Sequence, residues 1–160
     1  NSARHWYTPA ALAMREQGLT IEQAEDRMCR EGGLQGVSGV SNDIRDIATR
    51  ATEGHKRAQL ALDLFVHEAR RWIGAYMMQL NGADALVFTA GIGENRVEIR
   101  RAICADLDQL GIRLDPRLNA EAHAQEAAIG SPDSRVKILV IPANEELVVA
   151  REVKRLLTNS

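Results

Sequence analysis

Lysine is scarce in this chain: Lys56, Lys137 and Lys154 are the only three. None follows a glycine-rich turn, which excludes a Walker-type phosphate loop. Aromatic side chains are equally few, two each of Trp, Tyr and Phe, too few for a base-stacking platform. Neither sign of charge prevails, since 20 Lys and Arg face 22 Asp and Glu for a net −2. That balance supplies no field for gripping nucleic acid or an anionic membrane, and nucleic acid is excluded as a partner. Cysteine occurs twice, as Cys29 and Cys104. Both fall in helical patterns and read as small buried hydrophobes of a reducing compartment, without zinc spacing. No run approaches the ~18 apolar residues of a membrane span. Asn1 to Thr8 has no hydrophobic core of the signal-peptide kind. The expectation is a soluble, cytoplasmic chain with no membrane partner.

Two catalytic classes also drop out. His5, His55, His67 and His123 have no paired metal-ligand spacing. Gly36-Val37-Ser38-Gly39 is not a nucleophile elbow, because Val40 stands where the last glycine belongs.

What remains is ordinary in bulk: 160 residues, 45% hydrophobic and 26% charged. That suits one domain or one lobe of something larger. Thr8-Pro9 is a good helix start, and the helix should stop at Gly18. Thr20 and Gln23 form a capping box for a second helix with Ile21, Ala24 and Met28 on one face, ended by Gly32-Gly33. Gly32 to Ser41, GGLQGVSGVS, reads as a loop. Ser41 or Asn42 then caps a short helix over Asp43 to Thr52. Leu62, Phe65, Val66, Ala69, Ile73, Tyr76, Met77 and Leu80 keep helical spacing over five turns. They predict a helix from His55 to Leu80, about 39 Å long at 1.5 Å per residue. Such a helix is either the spine of the domain or a self-association surface.

After Gly82 the period changes. Ala85 to Thr89 and Val136 to Ile141 are short apolar runs, read as a parallel pair of strands covered on both faces. Asn95 and Glu98 form a capping pattern for a helix with Ile99, Ile103, Leu107 and Leu110 as its stripe, ending at Gly111. Arg96, Arg100 and Arg101 on that helix are assigned to solvent or helix pairing. A further short helix is expected around Ala120 to Ala128, and a last one from Glu145 to Leu157. The class is α/β, with helix dominating.

Three segments could carry chemistry. Gly91-Ile92-Gly93-Glu94-Asn95 joins a strand to a helix, an arrangement that lets an anion approach backbone N–H groups. It is not a dinucleotide fingerprint, because Arg96 occupies the third glycine position. Glu145 and Glu146 follow the second strand; they could hold Mg²⁺, which takes one or two carboxylates plus phosphate, or simply complement the helix dipole. Asp43-Ile44-Arg45 offers an acceptor for ribose hydroxyls and a planar cation, or only a solvated helix start.

Together the segments resemble one family. Ser41 to Asp46, Ala58 to Asp63, Asp84 to Asn95 and Val140 to Leu147 are similar, in order, to the carboxyl-terminal half of the acetate kinase (acetokinase) family. The resemblance implies the C-terminal lobe of a ribonuclease-H-like fold of the sugar-kinase and actin superfamily. It also implies phosphoryl transfer between ATP and acetate, giving ADP and acetyl phosphate, with Mg²⁺, in a homodimer. By matching positions, Asp43, Ile44 and Arg45 correspond to nucleotide-pocket residues, and Gly91, Ile92, Gly93, Glu94 and Asn95 to the loop around the nucleoside and proximal phosphate. Glu145 corresponds to the magnesium-associated carboxylate. The family's substrate arginines, catalytic Asp and transition-state His lie upstream of anything matched, so no catalytic residue is assigned here. Residues 1–8, NSARHWYT, do not resemble the family and are set apart as an atypical leader; residues 9–160 form the nucleotide-binding lobe. Ala90 stands where such loops commonly have another glycine, a change of little cost unless the position needs positive φ. The acceptor acid (acetate, propionate or butyrate) is left open. The alternative is a non-enzymatic helical module that pairs with itself or a partner.

Overall fold

Residues 11–158 are described by the computed structural model, and the chain divides after Phe65 into two units. The helix start at Thr8-Pro9 and the leader at residues 1–8 lie outside the described residues. In the first unit, helical residues 11–17 (α1) stop before Gly18, which adopts φ +66°. Thr20 and Gln23 close the expected capping box: Thr20 Oγ1 accepts from the Gln23 N–H at 3.3 Å and Gln23 Oε1 from the Thr20 N–H at 3.0 Å. They start α2, Ile21–Glu31. Its apolar face is not closed within the unit. Ala24 is buried, but Ile21 and Met28 are 69% and 59% exposed, and Cys29 is an exposed free thiol rather than a buried one.

The glycine-rich stretch forms a helix, not a loop: α3, Gly33–Ser38. Its glycines disfavour helix locally, and long-range bonds compensate. Arg57 donates from Nε to the Val37 carbonyl at 2.9 Å and from Nη2 to the Gly36 carbonyl at 2.7 Å. Ser38 is buried, accepting from the Val40 N–H at 3.1 Å and donating to the Ser41 carbonyl at 3.2 Å. The next helix, α4 (Ile44–Thr52), is capped by Asp43, not by Ser41 or Asn42. Ser41 acts one step earlier, accepting from the Asp43 N–H at 3.0 Å and donating to Asp46 at 2.9 Å. Ile47 packs fully buried against Ala58 and Ala61 of α5, Lys56–Gln79. Small residues on α5 let the helices approach.

The expected stripe is only half covered: Tyr76 on α5 and Leu80 just past its end are 56% and 67% exposed, while Leu62, Phe65, Ile73 and Met77 are half-buried. In the second unit, β1 (Ala85–Phe88) pairs in parallel with β3 (Lys137–Val140), Phe88 opposite Val140. The parallel pair was expected; its burial on both faces was not observed. Ile138 and Val140 are buried, whereas Ala85, Val87 and Lys137 are exposed. A two-residue strand, β2 (Ala127–Ala128), lies antiparallel on the other side of β3 and gives the order β1-β3-β2. The helix expected at Ala120 to Ala128 lies earlier, as α8 (Pro116–Glu121). Asp115 starts it, accepting from the N–H groups of Arg117 and Leu118 at 2.8 and 2.9 Å.

Between the strands lie α6 (Ala90–Asn95) and α7 (Val97–Cys104). The second is shorter than its apolar stripe predicts. Asp106 takes φ +55°, so Leu107 and Leu110 fall in a loop and a 3₁₀ turn (Asp108–Leu110) that closes at Gly111. The last helix, α9, spans Glu145–Thr158. Among the described residues no helix is long and apolar enough to cross a membrane. The second unit's core joins Phe88, Ile99, Ile103, Cys104, Ile112, Ile129, Val136, Ile138 and Val140.

Burial pushes the Cys104 thiol from its ordinary value near 9 up to about 11. The folded thiol therefore stays neutral while the unfolded one ionises, so this contribution is intact below about pH 8.5 and lost as pH rises toward 11. Urea unfolding should show stability falling by on the order of 2 kcal/mol across that window. The Cys104→Ala variant should lack that part of the decline.

Candidate functional site

The carboxyl ends of β1 and β3 both open into short turns followed by helices, α6 and α9. Between the turns is an open cleft of ≈ 450 Å³ lined by Ala90, Gly91, Glu94, Pro142, Ala143, Asn144 and Glu146. Ligands of open α/β sheets bind outside the carboxyl ends of the strands. One hydrogen bond joins the two sides: Glu94 Oε1 accepts from the Ala143 N–H at 2.7 Å. Asn144 caps α9, its Oδ1 accepting from the Leu147 N–H at 2.9 Å. Glu145 is the first residue of α9, directly after that cap. The glycine segment and the acidic turn are thus brought together.

The residues of the glycine segment have distinct roles. A Cβ at Gly93 would lie 3.1 Å from the Phe88 carbonyl carbon and 3.3 Å from its Cα, so glycine lets α6 lie directly on the end of β1. A Cβ at Gly91 would meet nothing within 4 Å, and its φ is not positive. Among the described residues no contact demands glycine there, and Gly91 lines the cleft. Ala90 adopts φ +59°, the conformation in which alanine is no longer a neutral replacement for glycine. Ile92 is half-buried. Asn95 does not cap α7 as expected: its Nδ2 donates back to the Gly91 carbonyl at 3.1 Å, and Arg96 occupies the N-cap position without a side-chain cap bond. Arg96 instead pairs with Glu98 at 2.6 Å.

Arg100 is the residue that the sequence reading misplaced. It is fully buried rather than solvated or helix-paired. Its Nη1 donates to the Gly93 and Glu94 carbonyls at 2.9 and 2.8 Å. Nε donates to Asn119 Oδ1 at 2.7 Å, and Nη2 to the Asn119 and Ala122 carbonyls, both at 2.8 Å. All five N–H groups of the guanidinium are met. Burial lowers its pKa from the ordinary guanidinium value, opposed by the nearby Glu98 and Cys104. A signal was present: Arg100 stands three and four residues before Ile103 and Cys104, on the face that α7 buries.

Asp43, Ile44 and Arg45 belong to the first unit. The Asp43 carboxylate accepts from the Arg45 N–H at 2.8 Å and pairs with its guanidinium at 2.5 Å. That pairing raises the Arg45 pKa, and the side chain remains 77% exposed. Ile44 is buried. Among the described residues no three His, Cys, Asp or Glu side chains gather as a metal cage.

The sequence profile of the acetokinase family matches residues 9–151. The chain belongs to the acetokinase family. It is 46% identical over 144 residues to an acetate kinase of Methanosarcina thermophila and 48% over 153 to one of Acetivibrio thermocellus. These matches cover 90% and 94% of this chain but only 35% and 38% of the relatives. The chain thus spans little more than a third of the length of these acetokinases. Solved structures agree. The Porphyromonas gingivalis acetate kinase superposes with TM-score 0.85 at 33% identity, covering 94% of this chain and 38% of that one. A propionate kinase from Francisella tularensis gives 0.80 at 34%, covering 91% and 36%. The fold is a partial α/β domain of the acetate kinase fold, as the acetokinase motifs led one to expect.

Two substitutions separate strain from packing in the α6 turn. Ala90→Gly relieves a left-handed alanine, against some loss from a freer unfolded chain. It should raise stability by up to about 1 kcal/mol in urea unfolding. Gly93→Ala should lower it by about 1–2 kcal/mol, because a methyl group would press on the Phe88 backbone.

Proposed function

We propose that this chain is the nucleotide-binding portion of a carboxylate kinase of the acetate kinase type, one that transfers a phosphoryl group between ATP and a short-chain acid. The observation that carries the reading is the cleft between the glycine turn and the acidic turn, with Gly91 open to it. Backbone N–H groups at the start of α6 suit phosphate oxygens, and the Gly91 to Asn95 segment would hold the nucleoside and proximal phosphate. Arg45 of the first unit, exposed on its helix and paired with Asp43, matches the family's nucleotide-pocket motif and would offer a planar cation to a nucleotide. For Mg²⁺, Glu145, matched to the family's metal-associated carboxylate, and Glu146 on the cleft wall would provide the hard oxygen ligands that the ion takes alongside phosphate. Bound there, the metal would neutralise phosphate charge. Acetate is the acceptor favoured by the relatives' names, with propionate as the variant.

The residues in this chain hold a nucleotide; they do not complete the reaction. Two anions must meet, and arginine or metal clamps normally solve that problem at a value of roughly 10³–10⁵ in rate. Arg100 is committed to carbonyls and Arg45 to Asp43. A ligand that binds the folded state at a hundredfold excess over Kd stabilises by about 2.7 kcal/mol. Thermal unfolding with millimolar MgADP should show a clear upward shift, weakened about tenfold in affinity by Arg45→Ala. No shift would favour the interaction module instead. The chain alone should form no acetyl phosphate above background. Activity dependent on acetate and Mg²⁺ in the isolated 160 residues would contradict this.

A homodimer belongs to the same proposal. Trp72 and Tyr76 lie exposed on α5, with exposed Leu80 directly after its end, and uncovered apolar stretches of this kind mark contact surfaces. Sedimentation velocity should show self-association at high micromolar concentration, reduced by Tyr76→Lys.

A further inference from the structure

Residue 94 is held at both ends. Its backbone carbonyl accepts from Arg100 Nη1 at 2.8 Å, and its carboxylate accepts from the Ala143 N–H at 2.7 Å. Arg100 is in turn tied to α8 through Asn119 and Ala122. Asn119 is itself buried and donates from Nδ2 to the Val97 carbonyl at 3.0 Å. A continuous chain of bonds therefore runs from α8, through α7 and α6, to the turn after β3. We propose that Arg100 is a positioning residue of the cleft: by fixing the Gly93 and Glu94 carbonyls it sets where the Glu94 carboxylate meets Ala143, and so fixes the spacing of the two turns. The role in ligand binding rests on the nucleotide reading above; the role in fixing the turns does not.

The chemistry favours guanidinium at this point. Five acceptors surround it, two from α6, two from Asn119 and one from the Ala122 carbonyl, and all are neutral. An ammonium has three N–H groups on one nitrogen and cannot span them. A lysine here would leave buried carbonyls unpaired. Arg100 does not line the cleft, and of the residues whose carbonyls it holds Glu94 is the one that does, so its effect on a ligand is assigned to residue 94.

The test uses the whole chain with Arg100→Lys, Glu94→Ala and the double variant. The first readout is amide hydrogen exchange without ligand. In Arg100→Lys the Ala143 amide should lose protection at least tenfold, while the Ile141 amide, bonded to the Phe88 carbonyl, stays within twofold. The second readout is MgADP affinity. It should weaken about tenfold in Arg100→Lys and in Glu94→Ala, and the double variant should be no more than twofold worse than Glu94→Ala alone, as expected for two residues acting in series. Equal loss of protection at Ala143 and Ile141, or unchanged protection at both, overturns the proposal, as does additivity of the two changes. If the unaltered chain does not bind MgADP, the nucleotide reading fails, and exchange at Ala143 still decides the role of Arg100. Should Arg100→Lys not fold, Asn119→Ala, which removes one of the five acceptors of Arg100 together with the Nδ2 bond to the Val97 carbonyl, is held to the same exchange criterion.

Discussion

Short helices end in carbonyls that nothing inside the helix can pair, and in this chain arginine meets them. Helices α3, α6, α7 and α8 have six to eight residues each, below the length at which a helix persists by itself. Their last carbonyls carry the negative end of the helix dipole. Arg57 bonds two carbonyls of α3, and Arg70 bonds those of Ala102 and Ala105 around the end of α7. Arg100 closes α6 and α8 together. A planar fork can bridge two carbonyls at once where an ammonium offers one point. At these three positions, in a chain with only three lysines among 20 basic residues, arginine does what lysine could not.

Capping by arginine has an electrostatic consequence at Arg100. A charge taken out of water costs several kcal/mol unless its donors are fully met. Here they are met by carbonyls and an amide, not by a carboxylate. Such an arrangement holds only one geometry, because losing any acceptor strands part of a buried cation. It therefore specifies where the glycine helix lies more tightly than apolar packing would. Apolar contacts between α6 and its surroundings are few: no residue of the six is fully buried.

Local chemistry made much of the fold legible. The capping box at Thr20, the long periodicity of α5 and the apolar runs of the two parallel strands depend on neighbours in sequence and are legible there; the cover expected on both faces of the strands is not present, since Ala85, Val87 and Lys137 are exposed. The elements that were missed depend on partners far along the chain. Nothing in GGLQGVSGVS favours helix until Arg57, some twenty positions on, pairs its end. Two alanines carry no strand pattern, and β2 exists because β3 presents an edge. Of the site, the glycine segment and the acidic turn were visible as motifs. The Glu94–Ala143 bond was not, and the spacing of Arg100 to Ile103 and Cys104 hints at burial without naming the acceptors that make burial of a charge tolerable.

The motif Ala90-Gly91-Ile92-Gly93 also shows why a glycine pattern cannot be interpreted as a unit. Gly93 is required by the backbone of β1, Gly91 is left open by the protein, and Ala90 holds a conformation that favours glycine without being glycine. A left-handed alanine costs roughly 1–2 kcal/mol. Strain of this size persists only where the surroundings over-determine the backbone. Three constraints do so here: Phe88 against Gly93 on one side, Arg100 on the carbonyls of residues 93 and 94, and Ala143 on the Glu94 carboxylate. All three act within four residues of Ala90. The turn beside the cleft is thus held by the strand end under Gly93, by Arg100 behind residues 93 and 94, and by a bond across the cleft to Ala143.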